Sequence, residues 1–152
     1  MKKKRAAKKI GNRRARFDYQ LGDSFVVGLQ LTGGETKALR RGQGNLKGAY
    51  VTSKDNELWL INAQITGDGS IRVAEEDQTR SRKLLAKRKE IDELVARKQS
   101  GQTIVPLEVL TQGRYIKLRI ALGTGKKKYD KREAIKKRDQ ERLNRAELKN
   151  RR

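Results

Sequence analysis

Two residue types that carry much of enzyme chemistry are absent from this sequence. None of its 152 residues is cysteine or histidine. Without cysteine, the chain has no disulfide framework and no thiolate metal site. Without histidine, it lacks the usual general base and the commonest metal ligand, which disfavours most catalytic reactions. We therefore expect no enzyme activity, no cofactor and no metal site.

Long apolar runs and aromatic residues are also scarce. No run of 18 apolar residues is present, so no membrane span is expected. The basic N-terminus lacks the apolar region of a signal peptide. Aromatic residues make up 5% of the chain, which leaves few rings as stacking platforms for single strands. The sequence favours a cytoplasmic protein with no membrane partner.

The excess of positive charge lies at the two ends of the chain. Lys and Arg number 39 against 18 Asp and Glu, a net charge of +21. Residues 1–16 contain nine bases and no acid, and residues 126–152 carry +8, whereas residues 17–125 carry only +4. Basic segments of this kind repel themselves and bind polyanions. The pattern predicts a basic N-terminal extension (1–16), a nearly balanced globular body (17–125) and a basic C-terminal tail (126–152).

The body is predicted to be mainly β-structure. Apolar runs and alternation bounded by turn residues indicate strands at 25–31, 49–54, 57–65, 70–73, 104–110 and 115–122. Residues 58–61 are apolar on both faces, which indicates a curled or closed sheet. Pro106 lies early in its strand and predicts an edge or a bulge there. We expect a small antiparallel β-barrel with helices packed on it.

Two helices are predicted in the body. A short one covers residues 35–41 and ends at Gly42. A long one covers residues 79–100, with Asp77 or Thr79 as its N-cap and Gly101 just past its end. Its apolar stripe would consist of Leu84, Leu85, Ile91, Leu94 and Val95.

Motifs for nucleotide or metal chemistry fail in their details. Residues 42–47 begin like a dinucleotide fingerprint, but Lys47 stands where the third glycine belongs. Residues 123–127 lack the earlier glycine and the final Ser or Thr of a phosphate loop. Residues 75–77 form an acidic cluster that suits a solvated helix N-terminus better than a metal site. Recognition of folded RNA through its backbone and shape fits the composition best.

Five segments, in order along the chain, resemble the SsrA-binding protein family, also called small protein B. They lie at 12–19 (NRRARFDY), 28–42 (GLQLTGGETKALRRG), 45–51 (NLKGAYV), 77–92 and 125–138. Together they extend the resemblance from about Ile10 to about Arg138. One such segment would be weak evidence, but five in order are specific.

The resemblance implies an oligonucleotide-binding (OB)-like β-barrel with flanking helices and a basic tail. It also implies that the protein binds the tRNA-like domain of transfer-messenger RNA (tmRNA) and stands in for the missing anticodon arm. The complex would enter the empty A site of a stalled ribosome, with the tail in the mRNA channel. The expected partners are therefore tmRNA and ribosomal RNA, and the protein is expected to be a monomer.

The resemblance assigns RNA contacts to two sets of residues. On the body they are Asn12, Arg13, Arg14, Arg16, Lys37, Arg40, Arg41, Asn45, Lys47, Arg80, Arg82 and Lys83. On the tail they are Gly125, Lys126, Lys127, Lys128, Tyr129, Asp130, Lys131, Arg132, Lys136, Lys137 and Arg138. A helix over residues 126–149 has few apolar residues to bury, so we expect the tail to be disordered when free and helical on the ribosome.

The chain departs from the family pattern at three positions, and other functions remain open. Phe17 replaces a common histidine, Val26 a common glutamate, and Gln78 a proline. The main alternative is a ribosomal protein, or a generic binder of structured RNA, because either would share this composition and fold class.

Overall fold

The architecture was obtained as a computed structural model, which describes residues 9–151. The part of the predicted N-terminal extension at 1–8 and the last tail residue, Arg152, lie outside these residues. Residues 9–151 form nine strands: β1 (Ile10–Gly11), β2 (Tyr19–Leu29), β3 (Gly44–Asn45), β4 (Tyr50–Lys54), β5 (Glu57–Ile61), β6 (Gln64–Ile65), β7 (Arg82–Leu85), β8 (Thr103–Leu110) and β9 (Lys117–Gly125). Four α-helices accompany them: α1 (Ala15–Asp18), α2 (Gly33–Arg40), α3 (Arg88–Gln99) and α4 (Lys128–Asn150).

The main sheet is antiparallel and closes on itself. Its strand order is β1-β8-β4-β5-β7-β2-β9, and β8 also pairs with β9. Strands β8, β4, β5, β7, β2 and β9 therefore form a hydrogen-bonded ring, with β1 added to β8. The prediction of a small antiparallel β-barrel with flanking helices agrees with this topology. The short strands β3 and β6 form a separate ribbon.

The core lies inside this ring and follows the alternation seen in the sequence. Leu118, Ile120 and Leu122 of β9 are buried, whereas Lys117, the first residue of β9, is exposed. Leu58 and Leu60 of β5 are buried in the same core. The pairing of β8 with β9 shifts register between Pro106 and Glu108, so the predicted bulge is confirmed.

The predicted long helix at 79–100 is wrong in its first half. Residues 82–85 form strand β7, which pairs with β5 on one side and β2 on the other. Leu84 points inward and is buried, while Leu85 points outward and is 51% exposed, as strand alternation requires. The helix α3 begins only at Arg88, so neither Asp77 nor Thr79 caps it. Residues 82–85 have a helix-forming composition, but their pairing with β5 and β2 selects a strand. Without β7, no strand would join β5 to β2 and the ring would be open.

The predicted strand at 70–73 is also absent. Asp68 N–H donates to Ile71 O over 2.9 Å, which folds this segment into a tight turn. A 3-10 helix, Glu75–Asp77, follows before β7. The acidic cluster at 75–77 is therefore a short exposed turn on the way into the sheet.

Residues 10–16, assigned to the N-terminal extension from charge alone, lie on the body. Ile10 pairs with Val109 and is 5% exposed, and Ala15 is buried. Asn12 anchors the segment, since its backbone N–H donates to Leu107 O over 2.7 Å and its side chain to Pro106 O over 3.0 Å. Among the described residues, no helix is long and apolar enough to cross a membrane.

Candidate nucleic-acid interface

A basic groove runs between the N-terminal segment and the β3–β4 region. Its lining brings together two predicted sets of residues that are distant in sequence, Asn12 to Arg14 and Asn45 with Lys47. The full set of basic and aromatic lining residues is Lys9, Arg13, Arg14, Lys47, Lys98, Tyr19 and Tyr50. Cations beside exposed rings suit a nucleic-acid backbone with an unstacked base.

Four of these lining residues were not among the RNA contacts predicted from the sequence: Lys9, Tyr19, Tyr50 and Lys98. Lys98 lies near the end of α3, and its Nζ donates to Thr52 Oγ1 over 3.0 Å. Tyr50 is half exposed at the start of β4. Neither carries a local signal, because the topology of the ring alone brings β4 and α3 beside the N-terminal segment.

The short helix α2 does not present its three basic residues as one cationic knob. The guanidinium of Arg40 donates to three backbone carbonyls of the β8–β9 loop: Thr111 O at 2.9 Å, Gly113 O at 3.1 Å and Arg114 O at 2.9 Å. Arg41 turns away and bonds Asp68 and Ser70. Lys37 is exposed. Arg40 and Arg41 therefore hold two different loops.

Asp68 is the centre of the loop that Arg41 binds. Its carboxylate accepts hydrogen bonds from the Ser70 backbone and hydroxyl, from Ile71 N, from Gln43 and from Arg41. These donors, the Ser70 backbone N–H first, hold the pKa of Asp68 well below its usual range. The loop is therefore ordered by an ionised carboxylate.

Arg80 and Arg82 both pair with Glu35 in a buried ion-pair cluster. Glu35 is 1% exposed, and its carboxylate accepts from Arg80 Nε at 2.6 Å and from Arg82 Nε at 3.1 Å. Arg82 is 0% exposed, and its remaining N–H groups bond the carbonyls of Ala63, Asp77, Gln78 and Arg80. Burial lowers the pKa of Arg82, and the charge of Glu35 opposes this change. The prediction that Arg82 contacts RNA is wrong, because no face of it reaches solvent.

A second basic area lies on the outer face of β2, β7 and β9. Arg16, Arg119 and Lys126 line a cleft there with Val26, which is 44% exposed. Glu108 forms ion pairs with both Lys9 and Arg119 at one end. Lys83 also lies on the outside of the sheet, paired with Glu57 at 2.9 Å. The body thus carries basic residues on more than one side.

The tail starts from a set of contacts with α1, which we call the tail joint (Arg14, Arg16–Asp18, Lys126 and Lys131). Lys126 donates from its backbone N–H to Asp18 O at 2.9 Å and from Nζ to Arg16 O at 2.8 Å. Lys131 Nζ lies 3.3 Å from the Asp18 carboxylate and 5.9 Å from the centre of the Phe17 ring. Arg14 contacts the same carboxylate and the same ring. A phenyl ring at this position therefore serves as a cation–π partner.

The rest of the predicted tail forms the exposed helix α4. Gly125 ends β9 opposite Tyr19, and Lys127 leads into the helix, where its backbone N–H donates to Asp130. No residue of α4 is buried, and Tyr129 is 71% exposed. The remaining predicted tail residues, Lys128, Arg132, Lys136, Lys137 and Arg138, lie along this helix and are exposed.

The closed antiparallel sheet, its basic surfaces and the exposed basic helix define a class of small, strongly cationic binding proteins. A family model described as "SmpB protein" matches residues 9–150. The chain belongs to this family, as its sequence motifs indicated. The shared features cover nearly the whole of the described chain.

Curated relatives and a solved structure agree with this assignment. An SsrA-binding protein of Synechococcus sp. (strain JA-2-3B'a(2-13)) is 43% identical over 144 residues, covering 93% of this chain and 94% of the relative. An SsrA-binding protein of Maricaulis maris (strain MCS10) is 48% identical over 130 residues, covering 84% and 83%. A chain in the structure described as "tmRNA-SmpB: a journey to the center of the bacterial ribosome" is 34% identical, with a TM-score of 0.65, covering 84% of this chain and 94% of that one.

Proposed function

We propose that this protein binds tmRNA and acts with it in trans-translation, the rescue of stalled ribosomes. The observation that carries the proposal is membership of the SmpB family over residues 9–150, with a structural relative described in a tmRNA complex of the ribosome. The relatives are named as binders of SsrA, which is tmRNA. The protein acts in the cytoplasm as a monomer. It works by binding RNA rather than as an enzyme.

The body binds the tRNA-like domain of tmRNA and stands in for its anticodon arm. The groove that joins Asn12–Arg14 with Asn45 and Lys47 supports this role, because it concentrates cations beside Tyr50. Arg40 and Arg41 contribute by ordering loops, and Arg82 by holding the fold. Lys37 and the outer basic area offer further contacts to RNA phosphates.

The tail enters the vacant mRNA channel of the stalled ribosome. The lack of any buried residue in α4 and its row of Lys and Arg support this proposal, since ribosomal RNA would supply both the counter-charge and the packing. A helix with no buried face is marginal alone in water. The part of the tail beyond the tail joint is therefore disordered in the free protein and becomes helical on the ribosome.

Competition binding tests the proposal. The tRNA-like domain of tmRNA is labelled, and its complex with the full chain is challenged with bulk tRNA and rRNA fragments at about 150–200 mM salt, where non-specific phosphate binding is weakened. We expect strong preference for the tRNA-like domain. Equal affinity for all three RNAs would contradict the proposal and favour a ribosomal protein or a generic binder of structured RNA.

A further inference from the structure

The loop between β8 and β9, residues 111–116, presents an exposed aromatic ring that the sequence analysis did not assign to any role. Tyr115 is 69% exposed at the tip of this loop. The guanidinium carbon of Arg114 lies 5.5 Å from the centre of its ring, a cation–π distance. The next residue, Ile116, is 5% exposed and anchors the end of the loop in the core. The buried Ile116 therefore fixes the end of the loop while the Tyr115 ring stays in solvent.

Arg40 fixes the backbone on which this ring is carried. Its three hydrogen bonds to the carbonyls of Thr111, Gly113 and Arg114 cover the loop from its first residue to the one before Tyr115. Gly113 has a φ of +99°, which L side chains rarely adopt, so the loop path depends on glycine there. A loop held in this way loses little conformational entropy when its ring is bound, and such preorganisation raises affinity.

The two chain segments that the Arg40 hydrogen bonds join are both basic. Residues 109–123 contain no acid, and neither do residues 36–54, which include the exposed Lys37 on the same face of α2 as Arg40. Lys117 continues the exposed basic positions beyond the loop. A rigid ring within a cationic surface suits an unstacked base whose flanking phosphates contact the arginine and lysines.

We propose that Tyr115 is a base-stacking contact for the tRNA-like domain of tmRNA, with Arg114 on an adjacent phosphate and Arg40 as the positioning residue of the loop. The proposal rests on the proposed function and deepens it, since it names an unpaired base as the group recognised. It also reassigns Arg40, because its donors are used within the protein to orient Tyr115.

Equilibrium binding of the labelled tRNA-like domain to the full chain tests the role of the ring. Tyr115→Ala should weaken binding about tenfold, the usual loss for one stacked base. Tyr115→Phe keeps the ring and should stay within about twofold of the wild type. Gln112→Ala, at an exposed neighbouring position in the same loop, is the matched control and should not change affinity. Urea unfolding midpoints verify that all variants remain equally stable.

Two further variants separate stacking from charge and orientation. Arg114→Gln should lower the slope of log affinity against log salt by about one, as loss of one phosphate contact does. Arg40→Lys keeps the charge but lacks the planar guanidinium that spans the three carbonyls, so it should reproduce part of the Tyr115→Ala loss. The double variant Arg40→Lys/Tyr115→Ala should then bind no more than about twofold worse than Tyr115→Ala, because the two residues act through one contact.

Each other outcome overturns the inference in a recognisable way. If the wild type prefers the tRNA-like domain and Tyr115→Ala binds equally well, the stacking contact is excluded while the proposed function stands. Equal losses in Tyr115→Phe and Tyr115→Ala would assign the contact to the hydroxyl group. Normal RNA binding with loss of peptide tagging on ribosomes would assign the loop to a ribosomal partner instead. If the wild type itself shows no preference among RNAs, the proposed function and this inference fail together.

Discussion

Arg82 donates all five of its guanidinium N–H groups inside the protein, one to Glu35 and four to backbone carbonyls between residues 63 and 80. At the scale of the residue, this one side chain ties α2, the 63–80 segment and β7 together. A buried charge costs desolvation energy that only a complete set of partners offsets. The side chain is therefore a structural connector in the fold.

Replacing this side chain gives a prediction about stability. Arg82→Met removes a side-chain donor from four carbonyls, two of which (Asp77 O and Gln78 O) keep a backbone donor, and one donor from the Glu35 carboxylate, which keeps Arg80. Because one member of a buried ion pair is lost, we expect the free energy of unfolding to fall by about 3–5 kcal/mol. Urea unfolding followed by the fluorescence of Trp59, the single tryptophan, measures the change. Trp59 reports well on this region because β5 pairs with β7.

A neighbouring residue provides the control for Arg82. Lys83→Met removes a partly exposed pair with Glu57, so its cost should stay below about 1 kcal/mol. Similar losses for Arg82→Met and Lys83→Met would show that the Glu35 cluster contributes no more than a surface ion pair.

Single residues also show the limit of sequence reasoning about this site. Arg40, Arg41, Arg80 and Arg82 lie in segments that resemble the family, and the resemblance assigned them to RNA. Each has a partner 27 to 74 positions away, loop carbonyls for Arg40 and a carboxylate for the other three, and no local pattern reveals such pairs. The resemblance therefore led us to expect RNA contacts where the fold uses some of the same arginines internally.

At the scale of the element, the sequence correctly predicted the features that depend on local residue spacing. The alternation in β9 and the bulge at Pro106 were both correct. Residues 82–85 were misassigned because RKLL suits a helix as well as a strand, and only the gap between β5 and β2 selects the strand. Residues 10–16 were assigned to the extension because the bases of this segment mask its two short anchors, Ile10 and Ala15.

The tail joint is the element-scale feature with a testable consequence. Asp18→Asn removes the charge that contacts Lys131 and Arg14, while leaving the carbonyl that binds Lys126. Because a partly exposed ion pair contributes about 0.5–1 kcal/mol, we expect the undocked fraction of the tail to rise about two- to fivefold.

Spin labels can measure this change in a chain that has no cysteine of its own. Lys54→Cys on β4 and Asn144→Cys on α4 carry the labels, and pulsed electron paramagnetic resonance gives the distance distribution between them. It should broaden in Asp18→Asn and stay unchanged in Glu133→Gln, a tail carboxylate with no ion pair within residues 9–151. An unchanged distribution in both variants would show that the Asp18 carboxylate does not hold the tail.

At the scale of the whole molecule, the charge is divided between a nearly balanced body and two basic ends. This division predicts that affinity for the tRNA-like domain and action on the ribosome depend on different parts of the chain. Replacing Lys126–Lys128 and Lys136–Arg138 by alanine should leave binding to the tRNA-like domain within about threefold of the wild type and abolish peptide tagging, because in our proposal these side chains bind phosphates of ribosomal RNA.

Paired assays on one preparation measure both activities, by RNA binding and by tagging of the product of a stalled ribosome. Replacing only Lys136–Arg138 is the cleaner control, since Lys126 also belongs to the tail joint. Equal loss of binding and tagging would contradict the division between body and tail.

The tail joint also gives the tail the geometry of a lever arm. When helical, α4 has 23 residues and a length of about 35 Å at 1.5 Å per residue. A rotation of about 10° at its root would displace its far end by about 6 Å, which is more than the 5.4 Å pitch of an α-helix. Small adjustments of α1 against the body are therefore amplified along the arm. The contacts near Asp18, at the pivot, therefore determine how accurately the far end of the tail is positioned.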